Sequence, residues 1–362
     1  CYYTNPAFST PDVGRVQKML KEIPFIVTFS PFLDETSQMA DLILPDSVYL
    51  ERWQDDVIYP SLGYPVASLR QPVVDPLYDT KNFWDTLFAI ARSIGGTVAE
   101  SFPWKDAQEA LKHRYQGVYE AKAGSIVAGT FDQWWQEFTK RGVWANPPYS
   151  FGEWSRVLGG TPSKKFEFLS GYLEQKLGDL AQKDAQKKGT TEAQELENML
   201  KALKIEARGH KVFMPHYEAP RYAGDPRTYP FLLNTYKLMT HAEGRGASTP
   251  FLQETHGGHL GHNGTRWDSW IELNPRTAQG LGIQQGNEVW VESMLGRIKT
   301  RARINPGNLP DVVAMPFEQG HKGYGRWAED RGANPNWIMV NEADILGGLA
   351  AFFSTRVRVY KV

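Results

Sequence analysis

Between positions 289 and 304 apolar and polar residues alternate on either side of Leu295-Gly296. Side chains of an extended chain point to opposite faces in turn, so Ile298, Thr300, Ala302 and Ile304 share one face. Val289–Glu292 and Arg297–Ile304 therefore predict a β-hairpin. Tyr229–Leu233, Val312–Met315 and Val357–Val362 are further β-type runs. Between them, Asn274 is a natural helix N-cap, Pro275 suits the first helical position and Gly282 can end the helix. The region from Val212 onward reads as a compact barrel with one or two short helices.

The first part of the chain has a different grammar. Phe25-Ile26-Val27-Thr28-Phe29 is apolar on both faces and predicts a buried, parallel-type strand, and Leu42-Ile43-Leu44 repeats it before Pro45. Thr10-Pro11-Asp12 opens a helix carrying Val13, Val16, Met19 and Leu20. After Thr80, Phe83, Trp84, Leu87, Phe88, Ala91 and Ile94 form one helical face, stopped by Gly95-Gly96. Residues 97–168 are aromatic, with helical pieces around 105–114 and 130–141, and 144–154 reads as packed loop. Two apolar helical stripes follow within 169–211, the second opened by a Thr191/Gln194 capping box. They read as an inserted surface hairpin, or as a helix pair that docks a partner. The division is 1–160, 161–211 and 212–362.

Composition narrows the function. The 362 residues are 41% hydrophobic, enough to build a core. Forty Lys+Arg against 41 Asp+Glu argue against a nucleic-acid partner. One cysteine excludes a disulfide framework or a multi-cysteine metal site within these residues. No apolar run reaches membrane-spanning length, so direct membrane insertion is not expected. Cys1 stands where a start Met would be, which predicts a piece of a longer protein.

Four segments can carry chemistry. Residues 234–249 bear Lys237, His241, Arg245 and small hydroxyl residues, which can hold a phosphate, although a solvated loop is the plainer reading of the segment alone. Residues 317–336 form a long glycine-rich loop in which Asn334 and Asn336 can read a heterocycle edge. His256, His259 and His262 sit in a glycine-rich run whose spacing matches no common zinc signature. Asp34 and Glu35 follow the first strand, where ligands bind in open α/β sheets. Helix capping by Asp34 is the plainer reading of that pair.

The order of these segments resembles one family. Phe-Leu-Asp-Glu-Thr-Ser-Gln-Met-Ala-Asp-Leu-Ile-Leu-Pro at 32–45 is similar to the Glu-Thr…Ala-Asp-Leu-Pro segment of the molybdopterin oxidoreductases, the large subunits related to dimethyl sulfoxide reductase and formate dehydrogenase. Cys1–Pro6 resembles the strand end before it. Tyr229–His241, Trp270–Pro275 with Gly286–Val289, and Gly332–Asn336 resemble the opening, centre and close of the last domain. The resemblance implies an α/β fold: the end of a Rossmann-like α/β domain over 1–160, then a double-psi-type β-barrel over 212–362. Together they would embrace bis-molybdopterin guanine dinucleotide carrying molybdenum or tungsten.

Carried over residue by residue, it implies Thr36 at the dinucleotide crevice. Thr235, Lys237 and His241 would lie near the pterin and pyrophosphate, and Lys237 stands where an Arg is frequent. Asn274, Asn334 and Asn336 would hydrogen-bond the pterin or guanine. Arg326, with Gly320, His321 and Arg331, would serve from the long loop. No catalytic residue and no metal ligand is assigned within these residues. The family's iron–sulfur cysteines and its Ser, Cys, selenocysteine or Asp metal ligand are expected upstream.

The form of the 317–336 loop and Glu51-Arg52-Trp53 are closest to the sulfur-compound branch, with polysulfide, thiosulfate and tetrathionate reductases and sulfite dehydrogenases. The implied setting is bacterial or archaeal, peripheral to the cytoplasmic membrane. The implied partners are an iron–sulfur electron-transfer subunit, a membrane-anchor subunit and a small inorganic substrate. The alternative is a cofactor-free scaffold like the related subunit of alternative complex III, a quinol-oxidising membrane complex.

Overall fold

The computed structural model describes residues 1–58, 64–147, 158–241, 243–255, 266–343 and 348–362. His256, His259 and His262 lie outside them, as do residues 148–154 of the aromatic loop.

The chain begins with β1 (Val27–Thr28) and β2 (Leu42–Ile43), a short parallel pair extended by a bridge from Tyr2 to Phe29. The strand expected over Phe25–Phe29 is cut to two residues. Phe25 is 61% exposed, while Ile26 and Thr28 turn inward. A strand this short buries one face, so the apolar run does not sit between two layers. Next come β3 (Gln54–Ile58), β4 (Val66–Arg70) and β5 (Val143–Ala145), a purely antiparallel sheet. Helices Ala107–Glu120 and Phe131–Arg141 pack Leu111, Tyr115, Trp134, Trp135 and Phe138 against Leu69 and Trp144. The aromatic surplus is thus a core. Burying each such ring contributes about 2–3 kcal/mol.

Helix Phe83–Ile94 starts where the sequence places it, because Asn82 Oδ1 accepts from Trp84 N at 3.0 Å. Asp12 caps Val13–Leu20 by accepting from Arg15 N, so Pro11 precedes that helix, and it is Pro6 that occupies a first helical turn, in Pro6–Ser9. Helices Gly171–Lys188 and Glu192–Ala202 pair as a hairpin around Leu177, Leu200, Val212 and Phe213, with the Thr191/Gln194 capping box in place.

The rest closes into a six-stranded barrel: β6 (Phe231–Tyr236), β7 (Trp270–Leu273), β8 (Glu288–Ser293), β9 (Gly296–Ile304), β10 (Val312–Pro316) and β11 (Arg356–Lys361), in the order β10-β6-β11-β8-β9-β7. β6 with β10 and β7 with β9 are parallel; the other neighbours are antiparallel. Alternation decides the interior: Val289, Val291, Ile298, Ala302, Val357 and Val359 point inward with Leu233, Ile271 and Met315. β6 starts two residues later than the apolar run at Tyr229, since Thr228 N and Tyr229 N both donate to Asp225 O in a turn. Asn274 caps helix Pro275–Gly280.

Candidate functional site at the junction of the two portions

Asn5 precedes the proline that starts Pro6–Ser9, and its side chain is fixed on both ends. Its Oδ1 accepts from Thr36 N (3.1 Å) and Thr36 Oγ1 (2.7 Å). Its Nδ2 donates to Glu35 Oε2 at 2.7 Å. Thr36 Oγ1 also accepts from Ala7 N at 3.1 Å. Thr36 is fully buried. It secures the chain turn behind the crevice.

Glu35 reaches across to the barrel. Its Oε1 accepts from Lys322 N (2.6 Å) and Gly323 N (3.2 Å) and lies 3.1 Å from His321 Nδ1. Burial pushes this carboxyl up. The hydrogen bond and charge of His321, and the Asn5 amide, outweigh burial and hold it at about 2. The His321 ring stacks on Phe8 (3.7 Å between centres, 7° between planes) and lies near-parallel to Tyr324 at 5.0 Å. Its Nε2 is 3.2 Å from the Gly244 carbonyl.

The two asparagines of the long loop grip the same helix. Asn334 Nδ2 and Asn336 Nδ2 donate to Phe8 O at 2.8 and 3.0 Å, and Asn334 Oδ1 accepts from Asn336 N. The loop fits only with glycine at 320. There φ is +92°, and a Cβ would stand 2.2 Å from Asn334 N.

Between the portions lies a cavity of ≈ 580 Å³ whose lining includes Asn5, Phe8, Tyr49, Arg245, His321 and Tyr324. Its lining is largely apolar and includes the rings of Tyr3, Phe8, Phe32, Tyr49, His321 and Tyr324. At its rim Lys237 pairs with Glu243, and Arg245 lies 3.9 Å from that carboxylate. His241 is fully buried, and burial, then the charge of His321, lowers it to about 4, so it is neutral at neutral pH. Glu318 Oε1 accepts from Leu238 N at 2.8 Å, while burial pushes that carboxyl up to about 7. Thr235 Oγ1 and Glu318 Oε2 are buried with no hydrogen-bond partner among the described residues.

The structure thus brings Thr36, Asn334 and Asn336 together around Asn5 and Phe8, and strings Thr235, Lys237 and His241 along β6 and the loop after it. Asn274 stands apart: its Oδ1 accepts from Arg276 N and its Nδ2 donates to Asn308 O at 2.6 Å. Arg326 is solvent-facing, 4.5 Å from the Trp327 ring centre. Phe8, Tyr324 and Glu318 escape sequence reading. Asp34 Oδ1 accepts from Ser37 N at 2.7 Å and so ties down the turn before the short helix Ser37–Met39, whose N-cap is Thr36, while its neighbour Glu35 is a cross-link, which local sequence cannot signal. Among the described residues no three His, Cys, Asp or Glu side chains converge as a metal site.

Residues 1–93 match the family model described as Molybdopterin oxidoreductase, and residues 252–355 match the one described as Molydopterin dinucleotide binding domain. The molybdopterin-containing subunit of an arsenate respiratory reductase from Shewanella sp. (strain ANA-3) is 29% identical, over 100% of this chain and 44% of that protein. The molybdopterin-containing subunit of a thiosulfate reductase from Salmonella typhimurium is 24% identical, over 88% of this chain and 37% of that protein. The structure of acetylene hydratase from Pelobacter acetylenicus has the same fold across 99% of this chain and 43% of that one, with a TM-score of 0.67 and 20% identity. The chain therefore spans about two fifths of the length of these relatives. The two matched segments, joined at one cavity and in the family's order, identify the chain as a member of the molybdopterin oxidoreductase family.

Proposed function

We propose that the chain is the cofactor-holding part of a redox enzyme acting on a small inorganic oxyanion or sulfur compound, with 1–160 ending a Rossmann-like domain, 161–211 a helical insertion and 212–362 a double-psi-type barrel. The dinucleotide-binding domain indicates bis-molybdopterin guanine dinucleotide with molybdenum or tungsten. One observation carries the reading: Phe8 and Tyr49 from one matched segment and His321 and Tyr324 from the other line the same cavity.

The residues fit one arm of such a group. A volume of ≈ 580 Å³ with a largely apolar lining that bears several rings accepts a planar heterocycle. Arg245 at the rim supplies charge for a phosphate. The Thr235 hydroxyl does not line this cavity, but it is buried with no partner among the described residues, so it has a bond to offer a ligand or water. Lys237 can leave Glu243 for a phosphate. Asn334 and Asn336, bonded to Phe8 O, would shape the crevice more than touch the group. Asn274 and Arg326 would act only through contacts beyond this cavity.

When bound, the cofactor supplies a metal that exchanges electrons with the substrate. The chain's own residues fix its position and screen it from water. The molybdopterin-containing subunits of an arsenate and a thiosulfate reductase among the relatives support an inorganic substrate and further subunits; an iron–sulfur electron-transfer subunit and a membrane-anchor subunit are the partners we propose. No helix among the described residues is long and apolar enough to cross a membrane. Metal analysis and pterin fluorescence of the intact subunit test the reading. Molybdenum or tungsten with pterin is expected; neither, after expression with the cofactor supplied, would sink it in favour of a cofactor-free scaffold.

A further inference from the structure

Beside the junction cavity, and sharing Tyr3 and Tyr49 with it, lies a second hollow of ≈ 510 Å³ lined by Tyr2, Tyr3, Tyr49, Arg52, Gln54 and Arg70. Its hydrogen-bonding inventory is lopsided. Arg52 is buried and paired with Asp46, whose other oxygen accepts from Phe83 N at 2.9 Å. Arg52 Nη2 donates to Tyr3 Oη and Gln54 Oε1, each at 3.1 Å. Arg70 Nη1 donates to the same Gln54 Oε1 at 3.0 Å.

The amide oxygen of Gln54 is therefore taken twice, and the Tyr3 oxygen already accepts. What these side chains still offer is donors: the Gln54 amide N–H groups, the Tyr3 O–H and the free N–H groups of Arg70. Burial raises Tyr2 and Tyr3 above the ordinary phenol value, so both stay protonated. The charges do not cancel. Asp46 offsets Arg52, whereas Arg70 lies over the Tyr49 ring with no carboxylate partner among the described residues. Tyr3 is also held at φ +50°, in the left-handed region that a tyrosine rarely adopts. That conformation aims its side chain across the Arg52 guanidinium, 5.2 Å from the ring centre.

We propose that this hollow binds a small oxyanion, held by the guanidinium of Arg70, the hydroxyl of Tyr3 and the amide of Gln54 against the rings of Tyr2 and Tyr49. A surplus of donors with one net positive charge selects an acceptor-only, negatively charged ligand. The Asp46–Arg52 pair acts as the strut that orients Tyr3 and Gln54. This does not depend on which cofactor occupies the neighbouring cavity.

A free oxyanion and the phosphate of a nucleotide share this chemistry, and calorimetry on the intact protein separates them. Inorganic phosphate, titrated at constant ionic strength, is expected to bind saturably. Arg70→Gln should weaken it at least about tenfold, since it removes a charge-assisted bond, and Tyr3→Phe about threefold. Arg70 is at the surface, so its variant should melt like the parent, which circular dichroism checks. If a nucleoside monophosphate displaces phosphate, the anion is nucleotide-borne; if phosphate binds equally with the nucleotide present, the site takes the free anion. Absence of saturable heat, or phosphate binding unchanged in folded Arg70→Gln and Tyr3→Phe, would overturn the proposal.

Discussion

Glu35 is 6% exposed and yet ionised, and that combination makes it the residue on which the junction is most sensitive to acid. Its folded value of about 2 lies below the ordinary 4.5. Above pH 4.5 the charged form is present in both states and the full stabilisation, about 3 kcal/mol, is available. It fades as pH falls toward 2, where the native carboxylate takes up its proton. Thermal melts across that range should show the parent losing stability steeply. Glu35→Gln should start about 2–4 kcal/mol lower at pH 7 and lose less on acidification. Equal pH slopes for the two proteins would refute the assignment. Glu318 pulls the other way. Its value of about 7 means that the native state resists ionising it, so its burial becomes more costly as pH rises from 4.5 through 7.

Among elements, the 317–336 loop shows how local rule and tertiary demand divide. Gly320 and Gly325 both have positive φ, at +92° and +88°. Only at Gly320 does backbone crowd the missing Cβ; at Gly325 nothing lies within 4 Å. Gly325→Ala should therefore cost about 1 kcal/mol, the conformational part alone, and Gly320→Ala at least about twice that. Denaturant melts of the pair check this, and equal losses would show that the loop yields. The barrel strands, the Asn274 cap and the helical hairpin were legible because each follows a period or a capping rule. The β1–β2 pair was legible only in kind, since strand length depends on what packs above it. The helical pieces within 97–168 were legible, but not that Tyr115, Trp134 and Phe138 share a core with Leu69 and Trp144, since what a helix packs against is set by the fold. Asn334 and Asn336 stand out in the sequence for their amides, but their Phe8 partner is set by the fold alone.

In the whole molecule, barrel and α/β portion are joined by a few buried polar bonds, chiefly Asn334 and Asn336 to Phe8 O, and Glu35 to residues 321–323. Replacing both asparagines by alanine takes both amide donors from a buried carbonyl, at about 1–3 kcal/mol. The loss should be local. Hydrogen exchange is expected to accelerate at Ala7–Ser9 and Thr36–Met39 while β8 and β9 keep their protection. Uniform acceleration throughout the barrel would show instead that the two portions unfold as one unit.

The Phe8–Asn334 clasp also sets a clock. Its partners are 326 positions apart. During synthesis at about 5–20 residues per second, Phe8 leaves the ribosome roughly 15–65 s before the asparagine that will hold it. Through that interval half of the crevice wall stands without its other half. Any bulky group that the crevice takes can enter sideways before the chain is finished, or must wait for the clasp to open again.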